Sequence, residues 1–531
     1  MSSRVKLIFA LALILLVALV VAGCGGGEEG QPSGQEQGEE KAQEAEKAEE
    51  ATEVATYVGS EKCSTCHSDK FKSWQETMHP KMIQDATAEG VIIGDFENIP
   101  EEFADVKDVM DPEKVVYTIG SKWKQRYLVE GEDGNHYILP LQWNTAKEQW
   151  QPYHKDDWND PSRAWEKKCA GCHTTGFDPT SLEFVEPGVG CESCHGPGSL
   201  HAKSGDKSKI VRTIDTDVCA SCHNRGKAPS GEGYPVGFKP GDELTEEHYV
   251  SVTVGDKNVW DNGWAKGHHQ QYLDWLLSGH AEALEGLKKN DHATDTCLNC
   301  HSADYRLAPE DAKPTLAEVT KSVNCNVCHV THGPGVDEPQ LRMAREETCT
   351  TCHNAGGEIT PGEAVHHPQA EMQAGTGGLE VAAMPSIHAA AGVTCVDCHM
   401  TKVAKTINKW DISNHVFGVV TPAEAAKYEG MPDSCTTCHK DSKPEERQAV
   451  LDAWQSEIEK TLAELEPILE EAKAKVDAGV SDEVKGLYEV AFTNVSYVKA
   501  DASLGAHNYQ YAKKLLEVAR EKLEEFKRLT Q

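Results

Sequence analysis

Eighteen of the chain's nineteen cysteines fall into one repeated pentad, Cys-x-x-Cys-His, which occurs nine times in 531 residues. The pentads comprise Cys63, Cys66 and His67; Cys169, Cys172 and His173; Cys191, Cys194 and His195; Cys219, Cys222 and His223; Cys297, Cys300 and His301; Cys325, Cys328 and His329; Cys349, Cys352 and His353; Cys395, Cys398 and His399; and Cys435, Cys438 and His439. Two thiols on either side of a short turn can add to the two vinyl groups of one porphyrin, and the adjacent imidazole then reaches the iron as proximal ligand. Other chemistries of paired cysteines fit less well. A disulfide framework suits an exported chain but gives no reason for a histidine after each second thiol. Structural zinc needs such ligands in sets of four, and nine equal units do not divide that way. Thioredoxin-like pairs come once per βαβ unit. Nine covalently bound c-type haems are therefore expected.

Nine of the twenty-four histidines are spent as proximal ligands. A second histidine on an iron suits it to electron transfer rather than to substrate binding, so the remaining histidines are candidates for the distal positions. The best placed are His79, His201, His268 or its neighbour His269, His280, His332, His388, His415 and His507. His136, His154, His248 and His292 read as surface or structural residues. Eight distal ligands for nine irons leave one open site.

The elements that must hold these residues are short. Between the first two pentads, the stretch from Val115 to Trp143 alternates apolar and polar residues around Asp133-Gly134, which predicts a β-hairpin. Elsewhere the pattern is of short helices and Gly/Pro loops. After His439, Pro444 to Ala478 and Ser481 to Leu529 carry spaced apolar residues among Glu and Lys, which predicts a pair of long amphipathic helices with His507 inside the second. The expected fold class is mainly α: a multihaem cytochrome c with little regular β, one hairpin insert and a long C-terminal helical pair. The apolar face of that pair is expected to pack on the haem body or on a twin subunit, so a homodimer through these helices is a candidate assembly.

The N-terminus speaks to location. Arg4 and Lys6 precede an apolar run from Leu7 to Ala22, the charged and hydrophobic regions of an export signal. The run is shorter than the roughly 20 residues of a spanning helix. It ends Val-Ala-Gly-Cys at Cys24, a pattern that resembles the bacterial lipobox, in which the cysteine is lipidated and the chain cut before it. Gly25 to Thr56 has almost no large apolar residue before Val54 and reads as a disordered tether. The net charge of −34 argues against nucleic acid, whose phosphates are bound by Lys and Arg. These readings divide the chain into a signal peptide (1–23), a lipidated tether (24–56), a tetrahaem region with the insert (57–240), a pentahaem region (241–440) and the C-terminal helices (441–531).

The late pentads resemble the pentahaem ammonia-forming nitrite reductases over roughly Trp264 to Gln531. CVDCHM at Cys395, preceded by HPQAEM from His367 and by His388, looks like that family's segment carrying a pocket histidine, a distal ligand and its fourth haem. SYVKADASLGAHNYQYAKKLLE, from Ser496, is similar to its last helix with a ligating histidine, and CLNCHSAD, from Cys297, sits where that family has its catalytic haem. The proximal residue there is His301 where the family usually has lysine, a variation shared with octahaem relatives of hydroxylamine oxidoreductase. The early group, with YVGSEKCSTCH, CAGCHTTGF, GVGCESCHGPGSLH and CASCHNRG, resembles the tetrahaem cytochromes of nitrifying bacteria. The union of four and five is similar to the outer-cell-wall nonahaem cytochromes of metal-respiring Gram-positive bacteria.

The resemblance implies a lipid-anchored terminal reductase, extracytoplasmic and exposed at the cell surface. It would take electrons from multihaem or quinol-linked cytochromes and deliver them to iron oxides, soluble Fe(III) or quinone shuttles. An alternative is an ammonia-forming nitrite or hydroxylamine reductase at the fifth haem, with His367 as the catalytic pocket residue. Another is a non-catalytic conduit in a larger complex. The resemblance also makes calcium a candidate cofactor, although His366 stands where the family has a glutamine that assists a calcium site.

Overall fold

The computed structural model describes residues 53–212, 215–403 and 412–531. The expected signal peptide, Cys24 and nearly all of the expected tether lie outside the described residues. Ala55 to Gln531 forms one unit, which already includes the last two tether residues. Thr56 N–H donates to Ser199 Oγ at 2.8 Å and Thr56 O accepts from Ser199 N–H.

The insert is larger than a hairpin. Six antiparallel strands, β1 (Ile83–Asp85), β2 (Val115–Ile119), β3 (Lys124–Glu130), β4 (His136–Ile138), β5 (Leu141–Asn144) and β6 (Gln149–Pro152), run in the order β1-β2-β3-β5-β6, with β4 also paired to β3. The Asp133-Gly134 turn is where the sequence places it, joining β3 to β4 with Gly134 at a φ of 76°. β1 and β6 lie outside the stretch the sequence marks and escape it because three or four residues are too few to display a period. Side chains alternate across β3. Tyr127 and Val129 enter an aromatic core with Phe96 and Trp150. Leu128, on the opposite face, packs with Trp165 and Ala170 and so seats the second pentad.

The C-terminal pair is three helices: α1 (Pro444–Ala478), α2 (Asp482–Asp501) and α3 (Tyr509–Leu529). α1 runs through Pro467. It buries Ile458, Leu462, Leu465 and Leu469, spaced as one helical face, against Ala491, Val495 and Val498 of α2 and Leu515, Ala519 and Leu523 of α3. The expected second helix breaks because Ala502, Leu504 and Gly505 all take positive φ, a backbone no α-helix accepts. His507 therefore lies in the turn. Asn508 restarts the chain by accepting from Tyr511 N–H at 3.2 Å, while its Nδ2 donates to Met384 O at 2.7 Å. Asn508→Ala should cost about 1–2 kcal/mol of stability in denaturant unfolding, the usual loss of an N-cap and a little more.

The apolar face of this bundle packs on the body. Met372 is part of its core, with Ile359 and Val365 against it. Thr493 Oγ1 accepts from Gly362 N–H at 2.9 Å, Ser496 Oγ from Val365 N–H at 2.9 Å, and Asn494 Oδ1 from Leu379 N–H at 2.9 Å. The segment thus held carries His366 and His367.

Candidate functional site

Each pentad is a turn of helix. The amide of the histidine donates to the carbonyl of the first cysteine, as at His67 (2.9 Å) and His439 (3.0 Å). That turn sets both thiols on one side, with the imidazole next to them.

Seven of the proximal histidines face a second histidine. The ring centres are 6.2 Å apart for His67 and His201, 5.8 Å for His195 and His332, and 6.4 Å for His329 and His415. They are 6.1 Å apart for His353 and His280, 6.0 Å for His399 and His507, 6.2 Å for His439 and His388, and 6.0 Å for His301 and His367. Two imidazoles sharing one iron from opposite faces, with metal–nitrogen bonds of about 2 Å, have centres about 6 Å apart, so these pairs fit an iron between them. Burial and the neighbouring His223 push His79 down to about 4. Burial, then His173 and His223, push His269 down to about 3. His79 and His269 are thus the histidines placed beside the other two pentads. Of the doublet left open by the sequence, His269 stands beside His173. The ring of His268 packs 4.6 Å from that of His269, and its carbonyl accepts from Arg225.

The outer nitrogens of these rings are tied down. His195 Nδ1 donates to Val211 O at 2.6 Å, His301 to Ala283 O at 3.1 Å, His329 to Pro339 O at 2.9 Å and His399 to Phe417 O at 3.0 Å. Among the distal candidates, His201 donates to Asp206 O at 2.9 Å and His415 to Ser413 O at 3.1 Å. A carbonyl only accepts, so Nδ1 carries the proton and Nε2 is left with its lone pair, as in a metal-ligating histidine. His507 Nδ1 meets the carboxylate of Asp501 at 2.7 Å. Burial lowers His507, but this contact outweighs it and holds the imidazole above its ordinary value. Beside His269, Arg225 Nε is buried with no partner among the described residues, a donor suited to a porphyrin's carboxylate edge.

The pentads also touch one another. With the sites numbered in chain order, Cys63 of site 1 lies beside Cys191 of site 3. Cys194 of site 3 neighbours Cys222 of site 4, and Cys219 of site 4 pairs with Cys325 of site 6. Cys349 of site 7 feels Cys328 of site 6 and pairs with Cys395 of site 8. Cys398 of site 8 lies by Cys435 and Cys438 of site 9. The helices bearing sites 3 and 4, 4 and 6, and 7 and 8 are in contact as well. Two sites branch from this line. Cys172 of site 2 pairs with Cys222 of site 4, and Cys300 of site 5 with Cys352 of site 7. The line's ends are open to solvent: Cys66 and Cys438 are the exposed pentad cysteines.

Site 5 differs from its neighbours. His366 and His367 both stand opposite His301, and ring nitrogens of all three lie within 4.8 Å of one another. Sequence reading put His367 in this pocket and left the role of His366 open. Burial, His366, His353 and His301 together push His367 down to about 4.

Comparison with known proteins agrees with this picture. The family described as cytochrome c552 matches residues 364–528. That described as cytochrome c554 and c-prime matches 62–94, 141–196 and 263–330, so it extends from the early pentads into the late group. Cytochrome c-554 of Nitrosomonas europaea is 28% identical over 208 residues, 35% of this chain and 64% of that protein. The multiheme cytochrome MtrA of Shewanella baltica is 26% identical over 176 residues, 31% of this chain and 42% of that protein. The chain thus spans less than two thirds of these curated relatives. The crystal structure of the outer cell wall cytochrome OcwA is 37% identical, with a TM-score of 0.79 over 88% of this chain and 99% of that one. With its pentads, its facing histidines and this likeness over almost the whole of a solved relative, the chain belongs to the multihaem c-type cytochromes, in the family that includes OcwA.

Proposed function

We propose that all nine pentads hold haem and that the chain is a one-electron conduit and terminal reductase at the cell surface. It takes electrons from a multihaem or quinol-linked donor in the envelope and passes them to iron oxides, soluble Fe(III) or quinone shuttles outside. The line of neighbouring pentads from site 1 to site 9, ending in exposed cysteines at both termini, carries this reading. Bound haem supplies one-electron chemistry at iron, at a potential set by axial ligands, hydrogen bonds and burial. The chain's own part is to fix imidazoles such as those of His195, His301, His329 and His399 by their outer nitrogens and to keep successive sites close together. Cys24 would add a lipid anchor, and the similar OcwA is described as an outer cell wall cytochrome.

The test is reoxidation. Fully reduced protein mixed with excess ferric oxide, and separately with a soluble quinone, should return every haem to the oxidised state, because each branch site touches the line. A fraction of haem that stays reduced in both would show the line to be broken.

A second reading is favoured by the histidine cluster at site 5. There an ammonia-forming nitrite or hydroxylamine reductase would bind substrate, with His366 and His367 close enough to hydrogen-bond it. Site 5 hangs from site 7, so the two activities are compatible.

A further inference from the structure

Six ligand-candidate imidazoles give their Nδ1–H to a neutral backbone carbonyl, whereas His507 gives its own to a carboxylate. The Asp501 side chain is 1% exposed. One oxygen lies 2.7 Å from His507 Nδ1, and the other accepts from Ser503 Oγ. The placement is costly for folding. A buried carboxylate gives up its hydration, and at the last residue of α2 it sits at the negative end of the helix dipole. The positive-φ turn at Ala502, Leu504 and Gly505 bends the chain so that His507 comes back onto it.

We infer that Asp501 is a positioning residue that sets the potential of the haem at site 8, between His399 and His507. This rests on the reading that the site holds haem. A carboxylate on Nδ1 draws that proton toward itself, so Nε2 becomes a stronger donor and Fe(III) is favoured over Fe(II). Site 9 is reached through site 8. A low potential there keeps electrons on the site 1 to site 7 side until that side is charged, and only then feeds the exposed end.

Spectroelectrochemical titration of the full-length holoprotein, with low-temperature electron paramagnetic resonance alongside, tests this. Each haem takes one electron from the electrode as Fe(III) becomes Fe(II). Asp501→Asn keeps an acceptor oxygen and removes the charge. One component of the titration should move to higher potential and one low-spin signal should change, at unchanged haem content. Asp501→Glu should largely restore the original curve. If the Asn variant does not accumulate, Ser503→Ala reads the same contact with the opposite sign, because it leaves the carboxylate a stronger acceptor. An unchanged titration in these variants overturns the inference. So does a new high-spin signal in Asp501→Asn, which would make Asp501 a mere prop for the ring. Haem-peptide mass analysis showing no haem on Cys395 and Cys398 in the parent protein would instead remove the reading on which it rests.

Discussion

Replacing His367 by alanine is expected to turn one low-spin iron high-spin while leaving electron delivery to a soluble quinone unchanged. The ring of His367 stands 6.0 Å from that of His301, the spacing of the other facing pairs, and 6.2 Å from that of His353, which already faces His280. With its pKa pushed down to about 4, it is neutral at pH 7, the form that binds a metal and not the form that gives up a proton. Its backbone is left-handed at φ 52°, as is that of His269 at φ 60°, a conformation that costs of order 1 kcal/mol in a non-glycine residue. Alanine there would expose the iron to small ligands, so nitrite, hydroxylamine or cyanide should shift the spectrum of the variant more than that of the parent. The neighbouring ring of His366, 3.9 Å from that of His367, is able to step in; the double variant His366→Ala/His367→Ala removes that route. Quinone reduction should be spared because site 5 is a branch off site 7 and not a link in the line. The opposite pattern, a loss of nitrite or hydroxylamine turnover with no change in spin state, would make His367 a proton donor beside an already open iron and favour the second reading.

What was legible in the sequence was what local chemistry dictates. Two thiols and an imidazole within five residues must share a turn whatever surrounds them, so the pentads and their imidazoles could be named from spacing alone. Distal partners come from far away: His332 reaches His195 across 137 positions, and no period in a single sequence encodes such a meeting. Candidates such as His201, His280 and His388 were named from nearby motifs, but which imidazole each one faces comes only from the fold. The eight-for-nine count left site 5 open; the structure sets a ninth histidine, His367, opposite His301.

The same division holds for the fold. α1 was legible to its last residue, because Ile458, Leu462, Leu465 and Leu469 keep a helical period and Gly479 ends it. The break between α2 and α3 was hidden because Ala502 and Leu504 are good helix formers, driven into positive φ by the buried contacts of Asp501, His507 and Asn508. Local preference lost to tertiary contact at a place where an imidazole had to be delivered. Short strands failed for a plainer reason: Gln149–Pro152 pairs with β5, but a four-residue strand ending in proline carries little of the alternation that betrays a longer one.

Glu192→Ala should be among the most damaging single changes outside the pentad cysteines and histidines, costing about 3–5 kcal/mol because it orphans several buried donors at once. Glu192 is 1% exposed. Its carboxylate accepts from Val58 N–H at 3.0 Å, Gly59 N–H at 2.7 Å and Gly198 N–H at 2.7 Å. Gly59, at φ 81°, turns the chain into the helix that carries site 1. Glu186 does similar work one residue on, accepting from Ser60 N–H at 3.0 Å, while Ser60 Oγ accepts from Cys191 N–H at 2.9 Å. Together the two acids clamp the start of pentad 1 to the start of pentad 3, where Cys63 meets Cys191. Losing Glu192 should therefore loosen site 1 from the line before it unfolds the body. Denaturant unfolding would register the lost stability, and limited proteolysis should cut the chain between residues 55 and 62 in the variant first. In the reoxidation experiment one haem should then lag the rest. Glu192→Gln, which keeps an acceptor oxygen for one or two of these amides, should lose less. A cost below about 1 kcal/mol for the alanine variant would mean that water takes over the three amides, and that the clamp rests on Glu186.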